Sequence, residues 1–410
     1  MSTLWGRITA TWEKDGTHWI ELISREKREQ FRLTPMLTSS LRQGDIVKAS
    51  LTSDRSVVDV TLISRPADGE WDALHDGLRW RSFGARPSRM RLLQQRYVMT
   101  RAIRQYFHGQ GFIEIQPPLL VKGTCPDPCM RPFVVDDHYL STSTEYQLKR
   151  LLVGGFEKIF SLTQNFRKED KGVNHNPEFT MLEWARAFEP LEAVEADAAE
   201  LVRSAVEATS PGQEVLHFRG HVVRVRGVPW DHLTVREAFR QHLGIDVSED
   251  FSLLSLKREI ERIRLPIPKA FLSDRHALVS LLLDIVSPKL GCDVPLFLRD
   301  WPSFMTSSAK DSRASGVVER SELFIGGLEI SDGFPALQDP KAQRRHFNSA
   351  QEQRAEQGLD TVTLDETYLK SIAQGLPPAA GMALGFDRLT MVILDEADIT
   401  RVLPFAWDEL

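Results

Sequence analysis

The chain is poor in cysteine and has no long apolar run. Its three cysteines, Cys125, Cys129 and Cys292, cannot build a disulfide framework for 410 residues, and so few point to a reducing compartment. Cys125 and Cys129 have no second pair of soft ligands nearby, so they read as ordinary loop thiols rather than zinc ligands. No stretch reaches about 18 apolar residues, the length of a membrane span. The polar first residues, with Trp5 and Arg7, lack the apolar core of a signal peptide. A cytoplasmic protein with no membrane partner is expected. The absence of G-x-x-x-x-G-K-[ST] excludes a P-loop nucleotide site. No internal repeat or low-complexity segment occurs. A formal charge of −6 excludes coating of nucleic acid by charge alone, though not a local RNA site.

What is present is ordinary globular composition, 42% hydrophobic and 26% charged, with length for about two or three domains. Residues 1–65 alternate as short strands. Leu4, Gly6, Ile8 and Ala10 share one parity, and Trp19-Ile20-Glu21-Leu22, Ile46-Val47 and Val58–Ile63 follow. Turn signals at Asp15-Gly16, Gly44-Asp45 and Ser53-Asp54 separate them. The expectation is a small OB-like β-barrel. Its Trp5, Trp12, Trp19 and Phe31 suit either base stacking or barrel filling, and filling is the commoner role. Residues 66–87 read as a linker, and 88–410 as one catalytic domain.

A helix is expected from Ser88 to His108, with Val98, Ala102, Ile103, Tyr106 and Phe107 at helical spacing and Gly109 and Gly111 ending it. A strand then runs to Pro117-Pro118. Residues 186–300 read as mainly helical, with a capping box at Thr234-Val235-Arg236-Glu237, a stop at Gly244, and a strand at Val222–Arg226.

The organising stretch is Phe160 to Glu183. It reads as a strand, a charged loop and a returning strand. It gathers Arg167, Glu169, His175 and Phe179, groups suited to phosphate oxygens, an exocyclic amine and a base face. Four residues of the F-R-x-E kind also fit a solvated hairpin with a surface ion pair. Glu322 and Glu329 flank Gly326-Gly327. Two hard carboxylates brought together there suit Mg²⁺ on phosphates, although surface acids share that spacing. Gly381-Met382-Ala383-Leu384-Gly385-Phe386-Asp387-Arg388 combines small residues, which permit close backbone approach, with a helix start.

These runs, in this order, resemble the class II (subclass b) aminoacyl-tRNA synthetases. The helix, strand and Pro118 resemble motif 1, Phe166–Glu183 motif 2, and Gly381–Leu389 motif 3. Asn176-Pro177-Glu178-Phe179-Thr180-Met181-Leu182-Glu183 and Leu151–Glu157 are similar to the lysyl branch and to the synthetase-like lysine ligases of elongation factor P. The resemblance implies an α+β fold, an antiparallel sheet flanked by helices behind the barrel, and a homodimer built around Pro118. It implies ATP and Mg²⁺. Arg167 would hold the α-phosphate and the incoming carboxylate, and Arg388 and His175 the β,γ-phosphates. Phe179 and Arg388 would sandwich adenine near Glu169, with Asn176 in the same site. Glu322 and Glu329 would carry Mg²⁺. Glu145, Glu183, Ala185, Asp332, Phe334 and Ala336 would form the amino-acid pocket, with Glu145 on the substrate α-amino group.

The pocket departs from the family pattern. Lysyl enzymes read Met-Leu-Glu-x-Tyr where this chain has Met181-Leu182-Glu183-Trp184-Ala185. They read Glu-Leu-Ala-Asn-Gly-Phe-x-Glu-Leu where it has Glu329-Ile330-Ser331-Asp332-Gly333-Phe334-Pro335-Ala336-Leu337. The missing Tyr and Glu are the implied partners of a substrate ε-ammonium, and Asp332 is an extra carboxylate open to a cation. The implied function is adenylation of a lysine-like, modified or other amino acid, not ordinary L-lysine or else lysine in a shifted pose, with transfer to a protein, a carrier or a small molecule. A synthetase acting on tRNA and a silent regulatory paralogue are the alternatives.

Overall fold

The first 64 residues fold because alternation hands each strand one apolar face. The structure, a computed structural model, describes residues 2–24, 27–34, 37, 41–67, 89–247, 251–305, 309 and 316–410. Contacts divide the chain into two compact units, Met1–Gln94 and Gln95–Leu410. In the first, β1 (Ser2–Lys14), β2 (Thr17–Ser24), β3 (Lys27–Leu33), β4 (Ile46–Leu51) and β5 (Ser56–Ser64) close into a barrel in the order β1-β2-β3-β5-β4. Ile8, Ile20, Leu22, Phe31, Val47 and Val57 fill it, each worth about 1.5–3 kcal/mol of burial. The expected parity holds from Leu4 to Ile8, and a bulge between Ile8 and Ala10 interrupts it. Of the four aromatics only Phe31 enters the core. Trp5 is exposed, and Trp12 and Trp19 stack face to face with centroids 6.4 Å apart. The expected linker falls almost wholly at 68–87, outside the described residues.

The second unit holds α1 (Arg89–Gly109) from Gln95 onward, then β6 (Ile113–Glu114), β7 (Leu120–Val121), β8 (Val134–Val135), β9 (His138–Leu140) and α2 (Glu145–Val153). The organising stretch follows as β10 (Lys158–Phe166) and β11 (Glu178–Ala187). Then come α3 (Leu191–Thr209), β12 (Val215–Phe218), β13 (His221–Arg224), β14 (Asp231–Thr234), α4 (Val235–Leu243), α5 (Leu253–Ile263), α6 (Arg275–Val286) and β15 (Leu296–Pro302). The chain ends with β16 (Val317–Ile325), β17 (Leu328–Pro335), α7 (Pro340–Glu356), α8 (Glu366–Ile372), β18 (Ala379–Gly385) and α9 (Phe386–Ile393). The Thr234 capping box forms as expected: Glu237 N donates to Thr234 Oγ1 at 3.1 Å and Thr234 N to Glu237 Oε2 at 2.8 Å.

The main sheet has the order β14-β15-β16-β17-β18-β11-β10-β6. Its inner pairs are antiparallel, and β14–β15 and β10–β6 are parallel. This corrects the helical reading of 186–300 in part. That region supplies two strands of the sheet, because Leu296-Phe297-Leu298 is buried on both faces and carries no alternation. The strand before Pro117 is shorter than expected, two residues of β6. On one face, Leu182, Trp184 and Leu384 pack with Leu201 of α3 and Leu389 of α9. Asp197 fastens this side. Its Oδ1 accepts from Tyr106 Oη at 2.6 Å and Arg186 Nη2 at 2.7 Å, and its Oδ2 from Arg186 Nε at 2.7 Å and Trp184 Nε1 at 3.1 Å. One buried carboxylate thereby ties α1, β11 and α3, with every lone pair occupied.

The other face carries the site. Residues directly opposite in paired strands point the same way. Ser161, Glu183, Ala383, Asp332 and Glu322 are successive partners across β10, β11, β18, β17 and β16. One row of the sheet therefore lines up three carboxylates around an alanine.

Candidate active site

Two loops and one helix start converge above that row. The hairpin loop after β10 is closed by Arg167 N donating to Pro177 O at 2.8 Å. This holds the Arg167 guanidinium 5.2 Å from the Phe179 ring centroid. Arg167 Nε is buried without a protein hydrogen-bond partner, an orphaned donor that an anion would satisfy. From the first turn of α9, Arg388 Nη1 donates to Glu329 O at 3.1 Å and lies 3.2 Å from Glu329 Oε2. Arg388 Nη2 meets His175 Nε2 at 2.5 Å. Burial, and then Arg388, push the His175 pKa below the ordinary histidine value, so the ring is neutral at pH 7 and able to accept from that guanidinium.

Arg167, His175, Asn176, Phe179, Glu322, Glu329 and Arg388 line one cavity of 450 Å³. Asn176 spends both polar atoms on the backbone. Its Nδ2 donates to Glu178 O at 2.6 Å and its Oδ1 accepts from Trp407 N at 2.9 Å. Glu169 is the one expected nucleotide residue that does not line the cavity, its exposed side chain pairing with Arg131. Glu322 and Glu329 do not face each other directly. The bulge between Leu323 and Phe324 sets Glu329 opposite Phe324, while Glu322 stands opposite Asp332.

A second cavity, of 160 Å³, contains all six expected pocket residues: Glu145, Glu183, Ala185, Asp332, Phe334 and Ala336. The two cavities share seven lining residues, among them Asp127, Arg167, Arg320, Asp332 and Ala383. The carboxylates here are already committed. Glu183 accepts from Ser143 Oγ at 2.6 Å and from Thr144 N at 2.6 Å, with Thr144 Oγ1 on the same oxygen. Burial nevertheless holds its pKa above the usual carboxylate value. Glu145 Oε1 accepts from Lys149 Nζ at 2.5 Å. Burial works against the Lys149 ammonium and Glu145 more than offsets it, so its pKa lies above the ordinary lysine value.

Asp332 is likewise not open to a cation as expected. Arg320 Nε and Nη2 donate to its two oxygens at 2.8 and 3.1 Å, and Nη2 also donates to Glu322 Oε1 at 2.7 Å. Arg320 is the residue that sequence reasoning missed. The signal was its parity, two positions before Glu322 on the same strand face. Lys149, Ser143 and Arg96 were also missed. Arg96 pairs with Asp387 at 2.5 Å, and Asp387 Oδ2 accepts from Thr180 N at 2.8 Å, fastening the start of α9 to α1 and β11.

A family model of class II tRNA synthetases (D, K and N) matches residues 76–409. The chain belongs to this class II synthetase family. It is similar to the elongation factor P–(R)-β-lysine ligase of Pectobacterium atrosepticum, 32% identical over 327 residues, 77% of this chain and 94% of that protein. The corresponding ligase of Salmonella gallinarum is 32% identical over 329 residues, 77% of this chain and 95% of that one. Lysine–tRNA ligase of Thermotoga maritima is 31% identical over 367 residues, 85% of this chain and 71% of that enzyme. The class II architecture, the N-terminal barrel and the ligase relatives agree with the resemblance read from the motifs. Among the described residues no three His, Cys, Asp or Glu side chains form a metal cage, and no helix is long and apolar enough to cross a membrane. Glu322 and Glu329 on one cavity wall fit the donor set with which Mg²⁺ joins phosphates, one or two carboxylates.

Proposed function

We propose that this class II synthetase activates an amino acid as its adenylate and passes the aminoacyl group to an acceptor other than lysine tRNA. The carrying observation is the orphaned Arg167 Nε at the junction of the two cavities. A carboxylate in the smaller cavity and the α-phosphate of ATP in the larger would meet at that guanidinium. One carboxylate oxygen attacks phosphorus, the bond to the bridging oxygen breaks, and pyrophosphate leaves. An amino-acid carboxylate is ionised at neutral pH, so no general base is needed. The work of the chain is alignment and neutralisation of charge. Arg167 takes the reacting oxygens, with Phe179 beneath it for the base. Arg388 and neutral His175 take the leaving phosphates, and Glu322 and Glu329 would hold Mg²⁺, which would supply further neutralisation of phosphate charge. Enzymes of this family use ATP, and their elongation factor P ligase relatives supply the protein acceptor by analogy.

Amino-acid-dependent exchange of pyrophosphate into ATP tests the reading. Exchange that vanishes in Arg167→Ala supports it, and a purified chain that exchanges with no amino acid refutes it. The tRNA reading rests on the longer match to lysine–tRNA ligase, 85% of the chain against 77%. Charging of a bulk tRNA fraction would favour it. We also propose the homodimer. Tyr97, Ile113 and Leu120 expose apolar surface around the motif 1 segment. A monomer at micromolar concentration in sedimentation would count against it.

A further inference from the structure

We infer that the amino acid activated here has an apolar side chain, and that lysine and other diamino acids are poor substrates. This inference rests on the adenylate-forming reading above. The end of the 160 Å³ cavity is walled by small residues. Ala185, Gly381 and Phe334 are successive partners across β11, β18 and β17. Ala336 and Ala379 extend the wall, joined by Ala336 N donating to Ala379 O at 2.8 Å. Leu148 of α2 closes it from the other side. Apolar cavities of about 150 Å³ take up a benzene ring, and because this cavity must hold the whole amino acid, the room left beyond the α-carbon suits a side chain no larger than that.

Among the described residues, nothing on this wall is free to answer a second ammonium. Glu183 and Asp332 have both oxygens engaged by the protein. Glu145 has one oxygen on Lys149 and the other left for the single α-ammonium. Asp127 lines both cavities, and its Oδ1 accepts from Cys129 N at 2.8 Å. The aromatic face that might hold a cation is taken, since Lys149 Nζ lies 5.3 Å from the Phe334 centroid. An added ammonium would lose its water among methyl groups and meet the fixed charge of Lys149, while the cavity carboxylates Glu145, Glu183 and Asp332 are each already held by a protein donor. An apolar side chain loses nothing there and buries its surface.

The test uses the full chain in ATP–pyrophosphate exchange with leucine, norleucine, methionine and phenylalanine against lysine, ornithine and β-lysine. We expect at least one apolar substrate to exceed every diamino acid by about 100-fold in kcat/KM, the discrimination a hydrophobic pocket reaches against an added polar group. Lysine, ornithine or β-lysine equal to or better than the apolar set overturns the inference and leaves the adenylation reading standing. Silence with every amino acid, while ATP still binds, brings down the adenylation reading and the inference with it. In a second arm, Ala185→Tyr with Ala336→Glu restores a polar wall. The ratio of lysine to apolar rates should rise at least tenfold in that variant, and an unchanged ratio overturns the assignment of this wall to the side chain.

Discussion

Arg320 and Asp332 are joined on adjacent strands by two hydrogen bonds, Nε to Oδ1 at 2.8 Å and Nη2 to Oδ2 at 3.1 Å. Glu322 shares the same guanidinium. Burial raises the pKa of Glu322 well above that of an ordinary carboxyl, and of Asp332 to a lesser extent, with Arg320 acting against it. Arg320→Met would leave the buried Glu322 and the partly buried Asp332 without their cation. We expect a loss of about 3 kcal/mol in urea unfolding, the cost of breaking a buried pair from one side. Arg320→Met with Asp332→Asn should recover part of that loss, and strictly additive single effects would show the pair to be uncoupled.

Arg388 is held by Glu329, His175 and Asn174 O at the mouth of α9. It lines the 450 Å³ cavity and is no part of the hydrophobic core. Arg388→Ala should lower kcat for pyrophosphate exchange by about 100- to 1,000-fold, the usual loss of one preorganised donor. The unfolding midpoint should move little. A variant with full exchange would remove Arg388 from the reaction.

His175 gives a pH signature. Its folded pKa lies below the ordinary histidine value, first through burial and then through Arg388. Between that folded pKa and about 6.5, the unfolded chain binds more protons than the native one. Native stability therefore falls as pH drops through about 6.5 and levels off below the folded pKa. His175→Gln cannot titrate. The difference in Tm between the wild type and His175→Gln should shift against the wild type from pH 7.5 to pH 5.5. A difference independent of pH would contradict the lowered pKa of the ring.

Asp197 is a structural counterpart with no place in either cavity. It accepts four hydrogen bonds from Tyr106, Trp184 and Arg186 and is 2% exposed. Asp197→Ala strands the Arg186 guanidinium and two neutral donors. A loss of about 3–5 kcal/mol is expected in denaturant unfolding. Any loss of exchange should follow the folded fraction and leave KM for ATP unchanged in the folded protein.

The site was largely legible because its residues are close in sequence to the turns that present them. Arg167 and Phe179 flank one hairpin loop, and Glu183 and Ala185 share parity with Met181 on β11, so strand period alone puts them on one face. Arg388 begins a helix after a small-residue strand. The barrel was legible for the same reason, since alternation with turn signals depends only on neighbours. Where the face was buried on both sides, as at Leu296-Phe297-Leu298, the period vanished and the strand went unread.

By itself, then, the sequence determined the class II motif order, the barrel, the two arginines and the alanines that replace polar pocket residues. All of these are encoded in local pattern and residue type. Only the tertiary structure decided what the carboxylates do. Asp332 has a free appearance until β16 sets Arg320 beside it, and Glu169 looks like a base-reading group until Arg131 takes it. Asn176 becomes a pin once Trp407 arrives from far along the chain. The physical reason is that a charge is defined by its partners, and partners are distributed across strands that only folding brings together.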